Sequence, residues 1–389
     1  MKELFINETG TDYDTLKDIL KDIDESTELL DINTVAMTVF SPIAESKKNP
    51  DAYVMYKTSG KADDMSRKGT LCVTEYKEMI KNHSDSVLKI GDSYMAASEN
   101  CMYSIYTRLG VTGDALGLKY EKEEDREYYI SKRDDFVKVL METGVEGKLL
   151  YRKNDAGSKR ALHMFSPKGE HILQSNIIEL IDYISSQMGA APDISYDIKD
   201  DLTCVWVSYP DKADDYADDK GVTGKIIPGV YIETSDTGEC ALTLRGTEKI
   251  QGRIMYSGIV RRVHKGKFDI DEFKTNFDKK IFPEYLKYPK RFIDLALINV
   301  SDVSAYIDAL YEQTPLGAVL GRQKVEIKNL VMGNLSQNVT ALAVILEFIN
   351  FSNNVKVVTR EKENKLAEAL TAAMFTDITV NAFSYTASV

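Results

Sequence analysis

The stretch KIIPGVYIETSDTGECALTLRGTEKIQGRIMYSGIVRRVHKGK, Lys225 to Lys267, is the one long run of this chain with a consistent strand pattern. β-Branched and aliphatic residues recur in it, punctuated by Gly229, Gly238, Gly246, Gly252, Gly258 and Gly266. That is the pattern of short strands joined by tight turns. The same stretch carries a basic excess: from Arg245 to Lys267 there are seven cations against one anion, Glu248. Strand alternation puts Val260 and Arg262 on one face and Arg261 and Val263 on the other, with His264 following Arg262 and Lys265 following Arg261. A ribbon with cations on both sides can follow a phosphate backbone, and Tyr256 can offer a base a stacking surface. The nucleic-acid-binding candidates are therefore Arg245, Lys249, Arg253, Tyr256, Arg261, Arg262, Lys265 and Lys267. The competing reading is that these cations neutralise acidic helices of the same fold or stand singly in solvent.

The rest of the chain sets the frame. Its 389 residues allow a sizeable core and two or three domains. A formal net charge of −12 argues against a general nucleic-acid coat but leaves room for one local basic face. The longest uninterrupted apolar run is Ala341–Leu346, far short of a membrane span, and MKELFINETG lacks the basic-then-apolar order of a signal peptide. The expected location is the cytoplasm. Cys72, Cys101, Cys204 and Cys240 form no close pair, so they read as small buried residues in a reducing compartment.

Helical spacing of Leu16, Ile19, Leu20 and Ile23 predicts a helix over 11–30, capped by Thr11 or Asp12, and a strand follows at Asn33–Phe40. Residues 93–109 read as a helix stopped by Gly110, and the charged run from Leu118 to Gly144 as a helix with a solvated face. Lys148–Arg152 and Arg160–Phe165 read as strands across the turn Asn154–Gly157. Ser175 is an N-cap candidate for a helix over Asn176–Met188, stopped by Gly189. Thr203–Tyr209 is a strand carrying the only tryptophan, Trp206. Beyond the ribbon the helices expected are Asp271–Phe282, Lys290–Leu297, Asp302–Glu312 after Ser301, Gln337–Phe351 and Arg360–Met374 after Thr359; the tail Ile378–Val389 alternates like an edge strand. Helices, then strands, then helices without βαβ alternation predict an α+β fold with a mostly antiparallel sheet. A boundary is placed near residue 145, between a mainly helical region, 1–145, and a strand-rich centre with C-terminal helices, 146–389.

Catalytic and metal signatures are not found. Asp211, Asp214, Asp215, Asp218 and Asp219 could gather a divalent cation, but they lack the spacing of a calcium loop and are interleaved with Lys212 and Lys220, as in a solvated loop. His163 and His171 flank a strand-turn without a third ligand, and there is no H-E-x-x-H, G-x-S-x-G or phosphate-loop motif. No catalytic residue, metal ligand or cofactor is assigned.

Four segments carry a family resemblance: the helix end Thr107-Arg108-Leu109-Gly110; the strand, turn, strand and helix block from Lys148 through Asn176; the segment PGVYIETSDTGECALTL with Ser235, Asp236 and Gly238; and the late helices NVTALAVILEFIN and Lys362–Leu370. In these the chain resembles a phage- and plasmid-encoded family carrying domain of unknown function nine hundred and thirty-two. The family's cysteine-threonine-asparagine-glycine stretch has no counterpart, since GTEKIQGRIMYSG keeps no cysteine. What the resemblance implies is a mobile genetic element in a bacterium.

Together these readings lead to an expectation and two rivals. The expectation is a non-catalytic accessory protein that associates with DNA or RNA through the basic ribbon. One rival is a homo-oligomeric structural protein, such as a virion component, for which the 22 tyrosines and the charge contrast speak. The other is an acidic inhibitor of a host defence protein, resting on net charge alone.

Overall fold

The computed structural model describes residues 4–45, 53–57, 86–110, 139, 141–155, 157–199, 202–217, 223–235, 237, 240–263, 268–335, 338–352 and 360–380. In chain order the elements are β1 (Asn7–Gly10), α1 (Tyr13–Ser26), β2 (Thr27–Asn33), β3 (Met37–Glu45), β4 (Tyr53–Lys57), β5 (Ser86–Ile90), β6 (Ser93–Ala97) and α2 (Glu99–Arg108). Then come β7 (Glu146–Lys153), β8 (Lys159–Phe165), α3 (Ser175–Met188), β9 (Asp193–Lys199), β10 (Leu202–Ser208), β11 (Asp214–Ala217), β12 (Thr223–Thr234), β13 (Leu242–Ile250) and β14 (Arg253–Arg262). The C-terminal part holds α4 (Ile270–Lys280), α5 (Phe282–Tyr285), α6 (Lys287–Ala296), β15 (Asn299–Val300), α7 (Val303–Gln313), α8 (Leu316–Leu320), α9 (Lys324–Asn334), β16 (Val339–Thr340), α10 (Ala341–Ser352) and α11 (Arg360–Phe375).

Two seven-stranded sheets and a C-terminal helical layer make an α+β fold dominated by antiparallel pairing. The central sheet runs β1-β9-β10-β12-β13-β14, with β11 also on β12, and every pair is antiparallel. The second sheet runs β2-β7-β8-β6-β5-β3-β4, with one parallel pair, β6 on β8. Its β2–β7 pair joins segments from either side of residue 145.

The ribbon stretch becomes β12, β13 and β14. The hairpin between β13 and β14 has a two-residue loop, Gln251-Gly252, in which both residues have positive φ, 49° and 82°. Positive φ at both central positions matches the right-handed twist of the flanking strands, as in a type I′ turn. Further along, Arg245 faces Ile259 and Gly246 faces Ser257, so Gly258, at φ 61°, is the extra residue of a β-bulge.

Alternation along these strands divides the central sheet into two faces. Val205, Val207, Val230, Ile232, Leu242, Leu244 and Val260 point into a core with Leu16 and Leu20 of α1, Leu180 and Ile184 of α3, and Phe273 and Phe277 of α4. Towards the hairpin the same face, at Ile226, Ile250 and Met255, packs on the C-terminal helices. Helix α10 is buried around most of its circumference, which makes it the centre of that layer. A separate core lies between the second sheet and α2.

Helix α3 starts with a cap borrowed from α1. The Asp24 carboxylate accepts the backbone N–H of Gln174 at 2.7 Å and of Ser175 at 2.8 Å. Ser175, the N-cap expected from sequence, is the first helical residue, and Gly189 ends the helix in the left-handed conformation as expected. Asp24→Ala is expected to lower stability by about 1–2 kcal/mol, since it strips both a cap and an inter-helix tie. A urea midpoint indistinguishable from wild type would show that the cap carries no weight.

Some expectations need correction. Residues 93–109 are not one helix: Ser93–Ala97 is a strand between β5 and β8, and the helix starts after Ser98, whose hydroxyl accepts Cys101 N–H at 3.0 Å. The cap for α7 is Asp302 rather than Ser301. Ile378–Val380 are in no strand; the Gln313 side-chain amide instead makes two hydrogen bonds to the backbone of Thr379, at 2.7 and 3.0 Å. The charged helix expected over 118–144 falls mostly outside the described residues, as do Asp218, Asp219 and the tail from 381.

Candidate functional site

The face of the central sheet turned away from the α1–α3–α4 core is polar and aromatic. Strand β10, LTCVWVS, sends Val205 and Val207 inward and Cys204, Trp206 and Ser208 outward. Opposite them on β12, Tyr231 pairs with Trp206 and Glu233 with Cys204. The Trp206 and Tyr231 rings lie 5.2 Å apart, tilted by 31°. Tyr231 is buried and donates its hydroxyl to Glu233 at 2.8 Å, with the Cys204 Sγ 3.3 Å away. This network holds the tyrosine ring rigid beneath the half-buried indole.

Helix α11 crosses the β14 side of the same face and turns it into a cleft of about 480 Å³, within the range of small-molecule sites. Trp206, Tyr231, Ile254 and Tyr256 give it an aromatic and apolar floor, and Lys249 and Arg253 stand at one end with Glu363 and Asn364 of the helix. The Tyr256 hydroxyl donates to Asn364 Oδ1 at 2.6 Å, and Thr371 Oγ1 accepts its backbone N–H at 3.0 Å. Burial pushes the Tyr256 hydroxyl up to about 12, against the opposing effect of the Arg245 charge.

The expected site residues are put to different uses. Arg245 lies over the Tyr256 ring, 4.9 Å from its centroid, and pairs with Glu368 at 2.5 Å. This cation ties helix to sheet. Arg253 is half-buried at the cleft, and its shielded Nη2 has no hydrogen-bond partner among the described residues; burial pulls its guanidinium below the usual value while the Glu363 carboxylate acts the other way. Lys249 is exposed at the same end. Arg261 is exposed and lines a second cleft, of about 530 Å³, with Tyr103 and Arg108 of α2 and His163 of β8. Arg262 pairs across from Leu242, towards the opposite face, so the two neighbouring arginines cannot serve one surface. Lys265 and Lys267 lie outside the described residues. The structure thus gathers Lys249, Arg253 and Tyr256, integrates Arg245 and separates Arg261 and Arg262 from them.

Sequence reasoning passed over Trp206 as a site residue, together with Tyr231, Glu363 and Asn364. The alternation of LTCVWVS was the available signal for the tryptophan; α11 itself is legible as a helix, but nothing local places it over this face.

Among the described residues no group of three or more His, Cys, Asp or Glu side chains is placed to hold a metal ion, and no helix is long and apolar enough to cross a membrane. Comparison with models of protein families, with curated proteins and with solved structures gives no match in any of the three. The mobile-element context therefore rests on the short motifs alone.

Proposed function

We propose that the protein is a non-catalytic accessory protein that associates with single-stranded nucleic acid along the polar face of its central sheet. The observation that carries this reading is the aromatic-floored cleft with the Lys249 and Arg253 cations at one end of it. An unstacked base fits against the Trp206 indole, where stacking is tolerant of sequence, while Arg253 and Lys249 meet the flanking phosphates. A duplex cannot use such a cleft without first releasing a base. Arg261, eight residues from Arg253 along β14 and thus about 26 Å away, extends the cationic track.

Fluorescence anisotropy of labelled oligo-dT, oligo-rU and a duplex, between 50 and 200 mM salt, tests this. Three phosphate contacts predict a logarithmic salt slope of about −2 and about twentyfold weaker single-strand binding over that range. Lys249→Ala with Arg253→Ala should bring the slope to about −0.7, and Arg261→Ala with Arg262→Ala should remove about 0.7, because Arg262 faces away. Trp206→Ala should weaken binding by about 1–3 kcal/mol with the slope unchanged. Variants that bind as wild type would remove this face as the site.

A second reading, self-assembly, is favoured by a different surface. Leu286, Ile293 and Leu297 fall on one side of α6 and its ends and are 77%, 64% and 80% exposed. Large particles by light scattering, with no binding to any oligonucleotide, would favour it.

A further inference from the structure

On the opposite face of the central sheet, away from the cleft just described, Glu248 points into the interior. It sits in β13 between Pro228 of β12 and Met255 of β14, and it is 1% exposed. Among the described residues neither carboxylate oxygen has a hydrogen-bond partner. Native proteins leave such groups unsatisfied rarely, and usually for a reason. Glu248 is one of the residues around a cavity of about 180 Å³, walled by Met188 at the end of α3, by Pro228, and by Phe282, Tyr285 and Leu286.

The neighbouring polar groups are engaged or remote. The Tyr285 hydroxyl donates to Gly229 O at 2.6 Å, and the Tyr288 hydroxyl to Tyr256 O at 2.9 Å. Lys212 and Asp214 are exposed at the mouth, and Lys212 makes no ion pair with Glu248. No donor of the described residues reaches the carboxylate, and a buried carboxylate is costly without a counter-charge.

We propose that this cavity binds a small organic cation, a primary ammonium on a compact apolar body, with its N–H groups donating to Glu248. An ammonium brings three donors to two orphaned oxygens. The Phe282 and Tyr285 rings, 6.3 Å apart and nearly perpendicular, add a cation-stabilising wall, while Met188 and Leu286 cover the apolar body. The volume suits a ligand with one ring, since a cavity of ~150 Å³ holds benzene. A divalent metal fits poorly, because hard cations want more oxygen ligands than Glu248 and the exposed Asp214 supply. The site shares no side chain with the single-strand cleft and stands or falls independently of it.

Isothermal titration of the full chain at pH 8 tests the assignment with benzylammonium, benzyl alcohol and tetramethylammonium as probes. Benzylammonium is expected to bind in the millimolar range or tighter, and the other two at least tenfold more weakly. Glu248→Gln keeps the shape, removes the charge, and should weaken benzylammonium at least tenfold while circular dichroism stays unchanged. Leu286→Lys, at the exposed mouth, places a competing ammonium there and should weaken the probe without touching the fold. No binding of benzylammonium to the wild-type chain, or equal binding to Glu248→Gln, overturns the proposal; equal binding of benzyl alcohol does so as well, because it assigns the cavity to apolar ligands.

Discussion

Gly258→Val is expected to cost about 3–6 kcal/mol, enough to leave much of the chain unfolded, because it combines backbone strain with overpacking. Gly258 is the bulged residue of β14, at φ 61°, a conformation that is an outlier for a β-branched side chain. Its Cβ would stand 2.2 Å from the Lys280 carbonyl oxygen and 3.1 Å from the Lys280 carbonyl carbon. Those are backbone atoms at the end of α4, which cannot swing aside. The bulge is where that helix end docks, and the next residue, Ile281, is fully buried. Gly252→Ala provides the contrast. It also has positive φ, 82°, but its Cβ would meet nothing within 4 Å, so only the conformational cost of about 1–2 kcal/mol applies. Urea midpoints of the two variants, compared with wild type, separate clash from strain. Similar losses at both positions would mean that α4 does not depend on the bulge.

The bulge also shows what was legible in the sequence and what was not. Six glycines among β-branched residues were enough to mark Lys225–Lys267 as strands and turns, and β12, β13 and β14 occupy that stretch. Which glycine would make the turn and which the bulge depends on register, and register is settled by what each face packs against. Ser93–Ala97 reads as helix in the sequence for a related reason. A strand covered on both sides and followed at once by a helix is a continuous apolar run without alternation, and periodicity cannot separate the two. The cations of the ribbon were legible as residue types, but their partners were not. Glu368 lies 123 residues from Arg245, and Asn364 lies 108 from Tyr256, so the engagement of Arg245 and Tyr256 is a product of chain return. The same applies to Trp206 and Tyr231, which meet only as cross-strand neighbours.

Glu248→Met is expected to stabilise the protein at pH 8 by about 1–3 kcal/mol, the cost of a buried polar group without a partner. Burial raises the Glu248 carboxyl well above the usual carboxylate value, and the Asp214 charge pushes the same way. The groups facing it do not relieve it: the Tyr285 and Tyr288 hydroxyls donate to backbone carbonyls, and Lys212 is exposed at the cavity mouth. The folded state therefore holds this proton to higher pH than the unfolded chain does. Between the two values the folded state binds more protons, and stability falls as pH rises. The contribution is fully present below the unfolded value near ~4.3 and is lost as pH climbs through the raised folded value. Wild type minus Glu248→Met should thus show a difference in melting temperature that grows from pH 5 towards pH 8, while the variant alone is flatter. Parallel profiles would mean that Glu248 does not titrate in this window. A large difference gives the cavity an energetic meaning: the chain keeps a carboxyl that weakens its own central sheet, and only a ligand supplying the missing donors returns that stability, in proportion to its occupancy.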